Sequence, residues 1–407
     1  MSVVLDRPYQ FIPPHRGNWW PTLIQRFRII DQYLRIKEGV CSFECRNLGQ
    51  FKEALDNEAG ILLTPNHCRY ADPIAMGWPA RLVGTHVYAM ASWHLFNKGR
   101  IDHFAIRKMG GFSIHREGAD RQSLGTAMQI LSEGERPLIV FPEGTTSRMN
   151  DEVKPLLDGV SFIARSAARK SAKLGLRNVV MLPVAIKYLC KVDCVPWLQR
   201  QIAGLEQAFG QEVNDRCGVV VRLKNVMLRW LELKELDFFG ERRSGDTSER
   251  RLALIGELLS QLETQFGTDS STANNFSRIR AIRSEIVTRC FQETAVDGSQ
   301  FVNAVKQLGL CQELETYKDS YLSTESMVTD TRLIETVQRL QEFEFGKAKQ
   351  DLPLHAVIQF GQAIKVSAEK PPRGKRDPLL QSLHDNLNEM LGKLSHEARP
   401  VATKSLA

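Results

Sequence analysis

Thr64-Pro65-Asn66-His67-Cys68-Arg69-Tyr70-Ala71-Asp72-Pro73 follows the apolar run Ile61 to Leu63 and precedes a segment with helical texture. The run has the length of a short buried strand. Pro73 biases Asp72 towards an extended conformation and is itself suited to the first position of a helix. His67 and Asp72 therefore fall on a strand-to-helix loop, where α/β proteins tend to place chemistry. A carboxylate on one nitrogen of an imidazole orients the ring and stabilises its protonated form. The other nitrogen is left to take a proton from a hydroxyl. The plainer alternative is an Asp that caps a helix and a histidine with no task.

Three further blocks favour the chemical reading. Gly110-Gly111-Phe112-Ser113-Ile114-His115-Arg116 is the second, Phe141-Pro142-Glu143-Gly144-Thr145-Thr146-Ser147-Arg148 the third, and Leu182-Pro183-Val184-Ala185 the fourth. In order and spacing the four blocks resemble the glycerolipid acyltransferase family, over about residues 45–190 and again from about residue 354. The family signature is Asn-His-x4-Asp, then a glycine-led strand ending in Arg, then Phe-Pro-Glu-Gly-Thr-x-Ser, then a Pro-containing strand.

The resemblance implies acyl transfer from a thioester to a hydroxyl, most simply from acyl-CoA or acyl carrier protein to the lysophospholipid 1-acylglycerol 3-phosphate. His67 is then the general base and Asp72 its orienting carboxylate. Arg116 is implied to grip the acceptor phosphate, for which a planar guanidinium is well shaped. Glu143, Gly144 and Thr145 are implied to line the acceptor site, with Glu143 bonding glycerol hydroxyls or fixing basic side chains. Asn66, Arg69 and Arg148 are further candidates. Cys68 invites a nucleophile reading, but neighbours on a chain seldom face each other and the family pattern needs no Cys there. No cofactor and no metal are expected. The alternatives are transfer to another hydroxylated lipid or small acceptor, or a non-catalytic lipid-binding protein of the same fold.

Composition bounds the rest. The 407-residue chain is 43% hydrophobic and 25% charged, ordinary for a globular protein. No run approaches the length of a membrane-spanning helix, and Met1 to Gln10 lacks the apolar core of a signal peptide. The eight cysteines have neither zinc spacing nor a following His pair, so reduced thiols are expected. A net charge of +7 suits anionic lipid or phosphorylated substrates, while no nucleic-acid motif accompanies it. The only clustered basic run is Arg373-Gly374-Lys375-Arg376. These features imply a cytoplasmic protein held peripherally at the inner face of a membrane.

Along the chain, Trp19-Trp20-Pro21 introduces a helix whose apolar face is Leu23, Phe27, Ile30 and Leu34, opposite Arg28, Gln32 and Arg35. Residues 1–37 are thus an extended arm and an amphipathic helix suited to an anionic membrane surface, or to packing on the protein's own core. Residues 38–190 alternate strands and helices, which predicts an α/β domain with a largely parallel sheet flanked by helices. Single elements are expected at 22–37 and 92–108 (helices), 74–80 (a short helix) and 179–186 (a strand interrupted by Pro183). Residues 191–352 carry six segments of helical periodicity and predict an all-helical insert. Leu354 to Ile364 returns to strand texture, so residues 353–394 are expected to rejoin the first sheet. A loop over 370–377, a closing helix over 378–394 and a frayed tail over 395–407 complete the expectation.

Overall fold

The computed structural model describes residues 3–118, 120–269, 274–292, 298–323, 328–369 and 376–401. The chain divides into two compact units. One comprises Gln10–Asp193 and Gln350–Arg399; the other comprises Met1–Tyr9, Cys194–Lys349 and Pro400–Ala407.

The first unit holds a sheet of eight strands among the described residues. They are β1 (Val40–Arg46), β2 (Gly60–Pro65), β3 (Tyr88–Ser92), β4 (Gly111–Ile114), β5 (Leu138–Ile139), β6 (Val179–Cys190), β7 (Leu354–Phe360) and β8 (Ile364–Lys365). Their order is β1-β7-β6-β2-β5-β3-β4, with β8 also on β6. Pairings are parallel except β6 with β7 and β6 with β8. All six residues of β2 are buried, as its apolar sequence requires of a strand covered on both faces. Helices Arg121–Glu133, Asp158–Leu174 and Pro378–Ser395 supply Ala127, Ile130, Ala164, Ala167, Leu383, Leu387 and Leu391 to one core with Leu62, Phe112 and Met181. Elsewhere on the sheet, Phe51 of helix Leu48–Asp56 stacks on Phe360, and Trp78 stacks on Phe43.

β6 is the longest strand and organises the site. Residues 179–184 pair with β2, while residues 184–190 pair antiparallel with β7. Pro183 does not interrupt it. Only a donor is lost there, and the Pro183 carbonyl accepts the Gly361 N–H at 2.9 Å. Because β7 pairs with both β1 and β6, the segment after the helical stretch is built into the middle of one flank of the sheet.

Several elements differ from expectation. The first helix is two, Trp19–Arg26 and Ile29–Glu38, because Arg28 adopts a left-handed conformation (φ 52°) and redirects the chain. The second of these is anchored by Asp31, which accepts from Trp78 Nε1 at 2.6 Å and from Arg81 at 3.0 and 3.2 Å. Residues 92–108 also split, into Trp93–Phe96 and Arg100–Lys108, with Gly99 before the second. The helix expected over 74–80 is two short turns, Asp72–Ala75 and Gly77–Leu82. The arm is partly woven into the sheet: Ser113 N–H donates to Ile12 O at 3.0 Å and Ile12 N–H to Ser113 Oγ at 2.8 Å.

The second unit is helical: Val195–Ala208, Val219–Phe239, Thr247–Phe266, Asn275–Gln292, Ser299–Leu314 and Asp330–Phe345, with a short turn at Asp319–Leu322. A capping box of Asp246 and Glu249 starts the third helix, and Leu254 and Leu258 of this helix, Ile282 and Ile286 of the fourth and Leu308 of the fifth are fully buried. Buried ion pairs join Arg222 to Glu206 and Arg250 to Glu235. Residues 270–273, 293–297 and 324–327 of the expected helical insert, residues 370–375 of the loop with most of its basic run, and residues 402–407 of the tail lie outside the described residues.

Candidate active site

Two loops converge at the end of β2 and β5, and side chains hold both to β6. β2 stops at Pro65, yet β6 continues. Asn66 takes over the pairing: its Oδ1 accepts the Ile186 N–H at 2.7 Å and its Nδ2 donates to Ile186 O at 3.0 Å. Two residues further along, Asn150 does the same for Tyr188, at 3.1 and 3.3 Å. Each amide thus satisfies strand groups that a neighbouring strand would otherwise take. Asn66, a candidate ligand residue in the sequence, is occupied by the fold.

His67 is fixed on every side. A carboxylate only accepts, so Nδ1 carries the proton and donates to Asp72 Oδ2 at 2.9 Å. The His67 N–H donates to Glu143 Oε1 at 2.7 Å, and its carbonyl accepts from Ser147 N–H at 2.7 Å and Ser147 Oγ–H at 3.1 Å. The ring stacks on Phe141 with centroids 4.2 Å apart. Nε2 is left facing the Thr146 hydroxyl at 3.2 Å. The His67 side chain is 14% exposed and that of Asp72 0%, so the imidazole alone meets solvent. A base with a buried carboxylate behind it and a hydroxyl before it is equipped to accept an alcohol proton.

Asp72 is the first residue of its short helix, with Pro73 next, and its carboxylate turns back into the loop. Oδ2 also accepts the Arg69 N–H at 2.8 Å, while Oδ1 accepts the Tyr188 hydroxyl at 2.8 Å and the Cys68 thiol at 3.7 Å. Cys68 also contacts Ile186 O at 3.7 Å and is buried. Its sulfur faces Asp72, not the imidazole face that meets solvent.

Glu143 differs most from its expected part. Its Oε1 takes the His67 N–H and its Oε2 the Lys154 N–H at 3.1 Å. Burial pushes its carboxyl up to about 7, against the charge of Lys154 and these two donors. The carboxylate is thus spent on backbone, tying the His67 loop to the third block. Lys154 Nζ donates to Thr146 O at 3.0 Å and reaches Thr145 Oγ1 at 3.4 Å. Gly144 has φ 71°, a conformation that strains any residue with a Cβ, and a Cβ there would also press Leu157 Cδ1 aside.

Arg116 crosses from the end of β4 to this turn, its Nη1 donating to Gly144 O at 3.0 Å. Asp120 takes the N–H groups of His115 and Ser123, capping the next helix. Burial lowers the Arg116 pKa. Next to it, His94 is driven down to about 3, first by burial and then by the charges of Arg116 and Lys98. Arg69 and Arg148 form a second cationic cluster. The Arg148 guanidinium lies 5.0 Å from the Tyr70 ring centre, and burial, then the Arg69 charge, lowers its pKa to about 10. Arg69 lies over the Tyr188 ring at 5.4 Å and donates to Gln350 at 3.4 Å.

The structure thus brings His67, Asp72, Glu143, Gly144, Thr145 and Arg116 together, with Arg69 and Arg148 alongside. Thr146, Lys154, Tyr188 and His94 were not singled out from sequence. Thr146 stands inside the third block and was within reach of that reading.

An apolar surface lies on the same unit. Trp19 (64% exposed), Phe27, Tyr33 and Ile36 project from the first two helices, and Ile101 (84%) and Phe104 from Arg100–Lys108. The two groups adjoin, since the Trp20 and Phe104 rings meet edge to face at 5.0 Å. Among the described residues no helix is long and apolar enough to cross a membrane.

Residues 46–187 match the family model described as Acyltransferase. A 1-acyl-sn-glycerol-3-phosphate acyltransferase of Bacillus subtilis (strain 168) is 31% identical over 114 residues, covering 28% of this chain and 54% of the relative. The chain thus spans about half the length of that curated relative.

Proposed function

We propose that residues 46–187, which match the Acyltransferase family model, are a glycerolipid acyltransferase domain, and that the protein moves a fatty acyl group from a thioester to the free hydroxyl of a lysophospholipid, most simply 1-acylglycerol 3-phosphate. The observation that carries the reading is the His67 geometry: Nδ1 committed to buried Asp72 and Nε2 presented to a hydroxyl. In the reaction the acceptor hydroxyl takes the place of Thr146 at Nε2. It attacks the thioester carbonyl as its proton passes to His67, and Asp72 stabilises the imidazolium. Collapse of the tetrahedral intermediate expels the thiolate, which recovers the proton from His67. No acyl-enzyme is needed.

Arg116 is the proposed clamp for the acceptor phosphate. Its guanidinium spends one N–H on Gly144, and its charge adds to the burial that holds His94 neutral. Glu143, Gly144 and Thr145 shape the acceptor side of the loop, Glu143 through backbone alone. The donor is acyl-CoA or acyl carrier protein. The exposed apolar side chains of residues 19–36 and 101–104, with Arg26, Arg28, Arg35 and Lys108 among them, support peripheral docking on the anionic inner face of a membrane. The direct test is acyl transfer by purified protein across a panel of lysolipids with both donors. An acylated lysolipid supports the reading; thioester consumption without one removes it.

A further inference from the structure

We propose that Tyr188 is a positioning residue of this site: its phenol holds the Asp72 carboxylate in the orientation that aligns His67. The inference rests on the acyl-transfer reading above. Asp72 receives two bonds at Oδ2, from His67 Nδ1–H and the Arg69 N–H, and both donors belong to its own loop. Bonds from one loop move with that loop. The Tyr188 hydroxyl reaches Oδ1 at 2.8 Å from β6, and so fixes the carboxylate plane relative to the sheet. Tyr188 and Asp72 are both 0% exposed, so water cannot stand in for the phenol.

The phenol is itself held. Tyr188 N–H and C=O are paired with the Asn150 amide, and its neighbour Ile186 with the Asn66 amide. The buried Lys187–Asp151 ion pair adds a tie between β6 and the third-block loop. The residue therefore joins the two loops of the site through one strand. Burial pushes its phenol well above the ordinary range, so it keeps its proton and donates at neutral pH. The charged and titratable groups facing Asp72 are His67, Cys68, Arg69 and Tyr188 by contact, and Glu38, Glu143 and Arg148 through the field. Of the Tyr188 hydroxyl and the Cys68 thiol at Oδ1, the hydroxyl is the stronger donor.

Tyr188→Phe keeps the ring and removes the donor. In the full chain it should fold, lower kcat about tenfold and leave both Michaelis constants within about twofold. A carboxylate with one donor fewer is more basic and retains the imidazolium proton longer, so the acid limb of the rate profile should move to higher pH. In an Asp72→Asn background the same change should cost less than about twofold, because the residue acts through Asp72. An unchanged kcat and profile, or an equal loss in both backgrounds, overturns the proposal. The downfield proton resonance of His67 Nδ1–H gives a readout that needs no substrate. It should shift in Tyr188→Phe, and a fixed resonance also overturns the proposal. A wild-type protein that transfers no acyl group while that resonance still responds removes the functional reading alone.

Discussion

Glu143→Gln separates a structural carboxylate from a substrate-binding one. Its two oxygens accept the N–H groups of His67 and Lys154, at 2.7 and 3.1 Å, and the residue is only 5% exposed. An amide has one carbonyl oxygen, so one N–H must face an NH2 group instead. Above pH 7, where the carboxyl is ionised, a buried donor left without an acceptor costs about 1–3 kcal/mol, and replacing a charged acceptor by a neutral one weakens the remaining bond by about 1 kcal/mol more. The total is about 2–4 kcal/mol. For a unit of this size that lowers the melting temperature by roughly 4–16 °C. Because the bond to His67 orients the base, kcat should fall as well, while the acceptor Michaelis constant stays within about twofold. Thermal unfolding followed by circular dichroism, with steady-state kinetics well below the transition, reads all three. A melting temperature equal to wild type together with a raised acceptor constant would mean that Glu143 bonds the acceptor, and would refute the reasoning.

Arg116→Lys should raise the acceptor Michaelis constant by the equivalent of about 2–3 kcal/mol and leave that of the donor nearly unchanged, since Lys offers a point charge in place of a fork. Steady-state kinetics on acceptors with and without a phosphate monoester check this, and an equal effect on both would remove the clamp. For the membrane surface, Ile36→Glu with Ile101→Glu should abolish binding to anionic vesicles in a sedimentation assay while the fold is kept, because both side chains face solvent. Deleting residues 1–37 is the poorer test, since Ile12 is bonded to β4 and loss of the arm would disturb the sheet. Unchanged vesicle binding by the double variant would place the contact elsewhere.

How much of this was legible depends on how local each feature is. The His67–Asp72 contact spans five residues of one loop, and a strand before it with Pro73 after it nearly dictates the geometry. The fold class followed from strands alternating with helices, and the six helices among the described residues of the second unit from their periodicity. Strand direction was not legible: nothing in Leu354 to Phe360 says that it runs against β6 and along β1. Neither was the break at Arg28, where a residue other than glycine takes a left-handed turn. Glu143 was expected at the acceptor because the family resemblance implies that place for the third block. Its real partners, two backbone N–H groups, belong to a residue 76 positions away and one 11 positions away. Tyr188 stood in an apolar run, where a tyrosine resembles any other core side chain, and its hydroxyl finds Asp72 across 116 residues.

The central claim is that His67 is the base of an acyl transfer. It is tested most directly by comparing wild-type protein with His67→Ala for conversion of 1-acylglycerol 3-phosphate and an acyl thioester to the diacylated product, with folding of both checked by circular dichroism. Loss of a general base predicts an intact fold and turnover lower by at least about 100-fold. Product formed by His67→Ala at more than about a tenth of the wild-type rate would contradict the assignment of the base.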